Sequence, residues 1–296
     1  LAGRLSVTLK AGVAMKAPLK LIVVALRLAF YVRNASSKRI LPSRELGEAE
    51  NPNLHHRRLD RGNRGLASRK VTVEIPSSPD GHIVENLPLL AEGELKVKHW
   101  AGHLPASPNE DKYFFYWMFE PEGDFDPETV PLIIWLNGGP GCSSMDGLFI
   151  ENGPLRLVKD SSGNFQLKED PHSWNKAPAY TLYIDQPVGT GLSFTTSGKY
   201  PRNDEEVNAD FYYFLQEFFK LHSDKFVSSS VARNPLYFSG ESHAGHYIPH
   251  IMNYILKQND NLASGNTRIN LQGAAIGNGW TGKFPCRHCF CSNRHN

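Results

Sequence analysis

A serine set between small residues is the feature of this sequence that most clearly suggests chemistry. Ser242 lies in the stretch NPLYFSGESHAGHY (residues 234–247), where an apolar segment precedes it and a helix-like segment follows. Gly240 and Ala244 allow a tight turn between strand and helix that would expose the serine hydroxyl. The first helical amides would then face the space where negative charge develops during attack on a carbonyl group. The pattern indicates a nucleophile; the alternative is a glycine turn with Ser242 as N-cap.

A second stretch, about one hundred residues earlier, offers backbone amides to a ligand. An apolar run at residues 131–136 leads directly into the loop NGGPGCSS (residues 137–144), which contains three glycines. Because glycine lacks a Cβ, the main-chain N–H groups of such a loop can approach a bound group closely. Taken alone, the loop is only a turn-rich connection.

Together with ENGP (residues 151–154) and DQPVGTGLSF (residues 185–194), these two stretches resemble the serine carboxypeptidases, a branch of the α/β-hydrolase superfamily. The resemblance runs from about residue 99 to residue 280. It implies a mostly parallel sheet with flanking helices. It also implies hydrolysis of the C-terminal peptide bond of peptides and proteins through an acyl-enzyme on Ser242, without a cofactor or a metal.

The resemblance also implies roles for the residues around the serine. The oxyanion hole would consist of the amide of His243, which follows the nucleophile, and the amide of Gly139. The group that binds the free carboxylate of the substrate would consist of Asn137, Gly138, Glu151 and Glu241, with Glu151 hydrogen-bonded to Glu241. His243 stands where a tyrosine is common in the family, which alters the pocket wall but leaves the backbone amide in place.

A carboxylate beside a carboxylate needs a physical explanation. Two acids in contact cannot both ionise cheaply, so Glu151 and Glu241 are expected to share a proton. The protonated acid can donate a hydrogen bond to the substrate carboxylate. We therefore expect kcat/KM for peptides to fall as the pH rises toward neutral in a complete enzyme with these residues.

Apolar periodicity predicts the elements that position these residues. Strands are expected where β-branched and aromatic residues cluster between turn residues, and helices where apolar residues recur at helical spacing. The predicted strands are residues 113–119, 131–136, 180–185, 234–239 and 270–276, and the predicted helices are residues 205–221 and 243–257. This alternation favours a parallel sheet with covered faces. His246 and His250 fall on one face of the second helix and are interpreted as structural residues rather than metal ligands.

A base for the serine is missing from the pattern. After Ser242, the 54 remaining residues contain a single carboxylate, Asp260, which helix geometry places about 27 Å from the serine. His288 and His295 lie in the tail without strands to position them. The resemblance implies that the acid and the histidine of the triad come from a C-terminal half of the domain. We therefore expect an incomplete sheet on the C-terminal side, a poor fold and little or no activity of the chain as written.

The domain organisation follows from composition. Residues 1–37 are interpreted as a leader with a signal peptide from Met15, although Arg27 interrupts its apolar run. Residues 38–95 are expected to be a disordered, basic, propeptide-like segment. Residues 96–280 would form the N-terminal part of the hydrolase domain, and residues 281–296 an unrelated tail. This organisation predicts the secretory pathway, with a vacuole- or lysosome-like compartment or the exterior as destination.

Charge argues against a nucleic-acid partner. Residues 1–70 carry 15 basic and 4 acidic side chains, whereas the remainder carries 17 basic and 26 acidic side chains, so the folded part is acidic. No stable membrane span is predicted, and the oligomeric state is not specified. Cys142 is expected, by the resemblance, to pair with a cysteine of the second half. The tail residues Cys286, Cys289, Cys291 and His295 imitate a zinc cluster but are interpreted as chance cysteines.

Two other functions compete with peptide hydrolysis. Members of the same family transfer acyl groups to small alcohols, but their loop asparagine and the glutamate before the serine are usually changed. Asn137 and Glu241 are the peptidase types, which favours hydrolysis. The missing triad would instead support a non-catalytic peptide-binding protein.

Overall fold

The computed structural model describes residues 73–91, 95–109 and 111–282. The predicted signal peptide, the basic cluster before residue 73 and the cysteines of the tail lie outside these residues.

A seven-stranded mixed sheet forms the centre of the molecule. Its order is β1-β2-β6-β3-β10-β11, with β7 paired to the end of β2. Strands β6, β3, β10 and β11 are parallel to one another, whereas β1, β6 and β7 run antiparallel to β2. The strands are β1 His99–Pro105, β2 Lys112–Phe119, β3 Leu132–Leu136, β6 Tyr180–Ile184, β7 Phe194–Thr195, β10 Leu236–Glu241 and β11 Leu271–Gly277.

Three α-helices and two small hairpins complete the described fold. The helices are α1 Asp204–Leu221, α2 Ser223–Phe226 and α3 Ala244–Asp260. The hairpins pair β4 Leu155–Lys159 with β5 Phe165–Glu169, and β8 Val227–Ser228 with β9 Val231–Ala232. Short helical turns occupy Pro79–His82, Gly147–Glu151 and Trp174–Lys176. No helix in the described residues combines the length and the apolar character that a membrane crossing requires.

The aromatic strand β2 contributes to a core on each face of the sheet. Phe114, Tyr116 and Met118 pack with the apolar faces of α1 and α3, and the residues between them pack on the opposite face with Met145, Leu148 and Phe149. Because successive side chains of a strand point to opposite faces, one continuous aromatic run fills both cores. Both faces are thus covered at the centre of the sheet, as the sequence predicts, but not at β11.

Helix α1 begins where its sequence directs. The Asn203 side chain accepts a hydrogen bond from the amide of Glu206, and three acidic residues, Asp204 among them, occupy the first turn. An N-cap and negative charge both stabilise a helix N-terminus, the cap by about 1 kcal/mol. Asp204 is thereby fixed at the outer end of α1.

The prediction of a mostly parallel central sheet with flanking helices is confirmed. Each predicted strand and helix is present with bounds shifted by at most three residues. Strand β1 and the two hairpins were not predicted. The sequence of β1, HWAGHLP, lacks clean alternation because most of its side chains are buried on both faces.

Residues 73–91 differ from the predicted disordered segment. His82 is buried, with its Nδ1 3.0 Å from the Tyr116 hydroxyl, and Val84 and Leu87 join the second core. Isolated β-bridges connect Ile83 to Trp100 and Leu90 to Leu167. The prediction of disorder up to residue 95 is therefore wrong for this stretch. Apart from the helical turn at Pro79–His82, the chain forms no regular element here and is anchored by single side chains, which leave no periodic pattern.

Strand β11 lies at the edge of the sheet. Within the described residues it pairs with β10 alone, and most of its side chains are exposed or half-buried. Unpaired N–H and C=O groups along such a strand form a ready surface for pairing with another strand.

Candidate active site

The predicted turn at the serine is present between β10 and α3. Strand β10 ends at Glu241 and α3 begins at Ala244, so that Ser242 and His243 alone form the connection. Ser242 has a φ of +56°, a conformation that costs a non-glycine residue on the order of 1 kcal/mol. Its side chain is exposed. The turn thus presents the hydroxyl to solvent.

The glycine loop lies directly against this turn. Strands β3 and β10 are parallel neighbours with Leu136 opposite Gly240, so the residues after each strand emerge side by side. A Cβ on Gly138 would lie 2.6 Å from the amide nitrogen of His243 and 2.8 Å from the carbonyl oxygen of Glu241. Only glycine fits at this distance, and the two sequence stretches therefore meet in space.

Two amides at this junction are free to donate. Among the described residues, neither the N–H of Gly139 nor that of His243 forms a hydrogen bond. Gly139 itself has a φ of +110°. Unpaired amides beside an exposed serine are the arrangement that stabilises an oxyanion.

Asn137 is the centre of a hydrogen-bond network next to the serine. Its Oδ1 accepts hydrogen bonds from the Trp135 indole at 2.8 Å and from the amide of Gly147 at 3.0 Å. Its Nδ2 donates to Oε1 of Glu151 at 2.9 Å and to Oε1 of Glu241 at 3.3 Å. The expected direct hydrogen bond between Glu151 and Glu241 is absent among the described contacts; the structure joins the two glutamates through the Asn137 amide instead.

Three acids share this small region. Burial is the main cause that raises the pKa of Glu151, and the charge of Glu241 raises it further, against the Asn137 hydrogen bond. Burial and the charge of Glu241 likewise raise the pKa of Asp146. Both acids therefore keep a proton at a higher pH than an exposed carboxyl group would. Asp146 was not among the predicted residues.

Asp185 holds a second loop against the glycine loop. Its buried carboxyl group accepts hydrogen bonds from the Ser143 hydroxyl at 2.7 Å, the Ser144 amide at 2.9 Å and the Leu192 amide at 2.8 Å. Burial raises its pKa to about 6, and these hydrogen bonds oppose that rise. Asp185 is the first residue of the DQPVGTG motif. Its position directly after a strand is the sequence signal that indicates a role at this edge of the sheet.

The remaining predicted groups lie away from the serine hydroxyl. The His243 ring packs on the rings of Tyr247 and Trp280, with centroids 4.8 and 4.9 Å away, and burial lowers its pKa. In residues 73–282 as described, no histidine hydrogen-bonds to the hydroxyl of Ser242. Asp260 is the last residue of α3, at the end opposite the serine. Cys142 is exposed and free.

Comparison with known proteins agrees with this geometry. A family model described as serine carboxypeptidase matches residues 88–286. The chain is 45% identical over 214 residues to serine carboxypeptidase S10 family member 2 of Dictyostelium discoideum, a match that covers 72% of this chain and 36% of that protein. It is 43% identical over 204 residues to the pheromone-processing carboxypeptidase KEX1 of Phytophthora infestans, covering 67% of this chain and 32% of that protein.

A solved structure shows the same fold. The crystal structure of Kex1(Δ)p, a prohormone-processing carboxypeptidase from Saccharomyces cerevisiae, superposes with a TM-score of 0.57 at 33% identity. That match covers 70% of this chain and 44% of the yeast chain. The chain thus spans about a third of the length of the curated relatives it matches.

Proposed function

Because this chain belongs to the serine carboxypeptidase family, we propose that it carries the nucleophile and the carboxylate-binding site of a peptidase that cleaves the C-terminal peptide bond. The observation that carries the proposal is the contact of Gly138 with the turn at Ser242. This contact sets the free amides, the exposed hydroxyl and the Asn137 network within one small region.

In the proposed reaction, Ser242 Oγ bonds to the carbonyl carbon of the last peptide bond and its proton passes to a base. The oxyanion that forms accepts hydrogen bonds from the amides of Gly139 and His243. Collapse of the intermediate breaks the C–N bond, and the protonated amine leaves as the C-terminal amino acid. Water then hydrolyses the acyl-enzyme.

Recognition of the free carboxylate is assigned to the acid network. Gly138 offers a backbone amide, and a protonated Glu151, whose pKa is raised by burial, would donate a hydrogen bond. Both Nδ2 protons of Asn137 are already directed to the glutamates. A substrate carboxylate would therefore share the Asn137 amide with Glu241, whose contact with it is the longer one. The site should prefer peptides with a free C-terminus to amidated peptides.

The base is the part of the reaction that the described residues do not supply. We infer that the histidine and its acid partner come from a part of the protein beyond residues 73–282. The chain taken alone would then bind a peptide C-terminus and turn it over slowly or not at all. Binding without catalysis is the second candidate function, favoured because no described residue forms a hydrogen bond with the Ser242 hydroxyl. The names of two relatives, a pheromone-processing and a prohormone-processing carboxypeptidase, support a peptide-processing function.

One experiment separates the two candidates. The purified full chain and its Ser242→Ala variant are titrated with a fluorescent blocked dipeptide and with its C-terminal amide. We expect tighter binding of the free acid by both proteins. Hydrolysis by the chain but not by the variant would show catalysis, whereas binding alone supports the second candidate. Equal affinity for acid and amide would contradict the assigned carboxylate site.

A further inference from the structure

Three side chains outside the proposed active site converge at the surface, and we propose that Asp204, His246 and His250 bind a zinc ion. Their ligand atoms lie within 4.8 Å of one another. Two imidazoles and one carboxylate form the ligand set of many zinc sites that leave a fourth position to water. This inference revises the interpretation of the two histidines as purely structural residues.

Two of the three separations between the ligand atoms match those of a tetrahedral zinc site. Asp204 Oδ2 lies 3.1 Å from His246 Nε2 and 3.3 Å from His250 Nδ1. With zinc–ligand bonds of about 2.0–2.1 Å, neighbouring ligand atoms of a tetrahedral site lie roughly 3.3–3.4 Å apart. The carboxylate is therefore already at the separation from both imidazoles that the ion requires.

The fold presents the three ligands in a fixed arrangement. His246 and His250 are four residues apart on α3 and so lie one above the other, with ring centroids 4.4 Å apart. Asp204 begins α1, whose N-cap is closed by Asn203. The ligands come from two helices, with Asp204 and His246 separated by 42 residues in the chain. The ion would therefore connect α1 to α3.

Solvent access favours loading of the site. The side chains of His246, His250 and Asp204 are 34%, 46% and 52% exposed. A zinc ion could reach all three, and the fourth position would face water. The site also adjoins the nucleophile turn, because the His243 ring lies 5.2 Å from the His246 ring.

The competing explanation is a pair of hydrogen bonds from the two imidazoles to one carboxylate oxygen, with no ion. Zinc titration of the full chain separates the two explanations. The tail could also bind zinc, so the background protein carries Ser in place of Cys286, Cys289 and Cys291. Calorimetry should give one zinc per chain in this background. At about one hundred times the dissociation constant, zinc should raise Tm by roughly 5–10 °C.

Ligand variants locate the ion. His250→Ala and Asp204→Asn alter exposed residues and should leave the fold intact, as circular dichroism would verify. Each should weaken zinc binding by at least roughly 10–100-fold, since even the loss of an outer hydrogen-bond partner of a ligand has that effect. His172→Ala, an exposed histidine elsewhere, is the matched control and should bind zinc normally. Absence of zinc binding in the background, or equal affinity in all variants, would overturn the proposal.

This test is independent of the proposed peptidase function. Zinc stoichiometry and Tm require neither peptide binding nor turnover. A chain that binds zinc but no peptide would retain the metal site and lose the active-site proposal, and the converse result would do the opposite.

Discussion

Replacement of Glu241 by glutamine provides the sharpest test of the acid network. We expect the affinity of the Ser242→Ala chain for a free-acid dipeptide to fall between pH 5 and pH 7.5. The peptide carboxylate stays ionised throughout this range. The pKa of Glu151 is raised by burial and by the Glu241 charge, so the network keeps a proton at the acid end and loses it as the pH rises.

The size of the fall in affinity depends on the hydrogen bond and the charge that change when the network loses its proton. At acid pH the protonated glutamate donates a charge-assisted hydrogen bond, worth about 1.5–3 kcal/mol. At neutral pH the same oxygen is a negative charge facing the substrate carboxylate, and repulsion at about 4 Å near a protein surface reaches ~4 kcal/mol before solvent screening. Because Glu151 and Glu241 are both only half-buried, we take the lower range. Affinity should then fall by roughly 10–100-fold.

In Glu241→Gln the side-chain amide donates at every pH, and the fall should shrink to less than about fivefold. Fluorescence titration at five pH values measures this slope. Glu217→Gln, in a surface ion pair with Lys220, is the matched control and should keep the full slope. An amidated peptide should show little pH dependence with either protein. A Glu241→Gln chain with the unaltered slope would refute the reasoning that protonation of this network governs carboxylate binding.

Three further substitutions test the packing around the site. Gly138→Ala should reduce both peptide binding and Tm, because the new Cβ would lie 2.6 Å from the His243 amide nitrogen. Gly273→Ala is the control, since its Cβ would lie 3.7 Å from the nearest atom. It should change the free energy of unfolding in urea by less than about 0.5 kcal/mol. Gly191→Ala should destabilise the chain by about 1–3 kcal/mol, because the new Cβ would lie 2.1 Å from Asp185 Oδ2 and the residue has a φ of +53°. An unchanged Tm would show that this clash does not occur. The pKa of Asp185 is raised to about 6 in the folded chain, so its proton contributes on the order of 3 kcal/mol to the free energy of unfolding. This contribution is complete below about pH 4 and is lost as the pH rises through 6. Asp185→Asn should therefore flatten the dependence of the unfolding free energy on pH between 4 and 7, and an unchanged dependence would count against this proton.

Much of the site follows from local sequence. The strands before the glycine loop and the serine turn are short apolar runs, and parallel neighbours place the residues after each strand at one edge of the sheet. Gly138 and Ser242 could therefore be predicted to meet. Gly240 and Ala244 permit the tight turn at Ser242, because a Cβ on Gly240 would lie 2.8 Å from the Cβ of Ala244.

What the sequence could not show depends on contacts between distant segments. Nothing near Asp204 in the chain indicates that α1 begins beside His246, and the approach is decided by how the two helices pack. The sequence around Trp135 does not predict that its indole would donate a hydrogen bond to Asn137 and orient that side chain. Asp146 lies near the two glutamates because it directly precedes the tight helical turn at Gly147–Glu151. Apolar periodicity does not reveal this turn.

The backbone of Ser242 is held by the end of β11 and by a residue that follows this strand. Its amide donates to the carbonyl oxygen of Gly277 at 3.0 Å, and its carbonyl oxygen accepts from the amide of Trp280 at 2.7 Å. A proteolytic cut or an altered splice junction between residues 276 and 280 would remove both bonds without touching the nucleophile. The serine could then relax into an ordinary conformation, and an intact GESHAGH stretch would no longer guarantee a reactive hydroxyl.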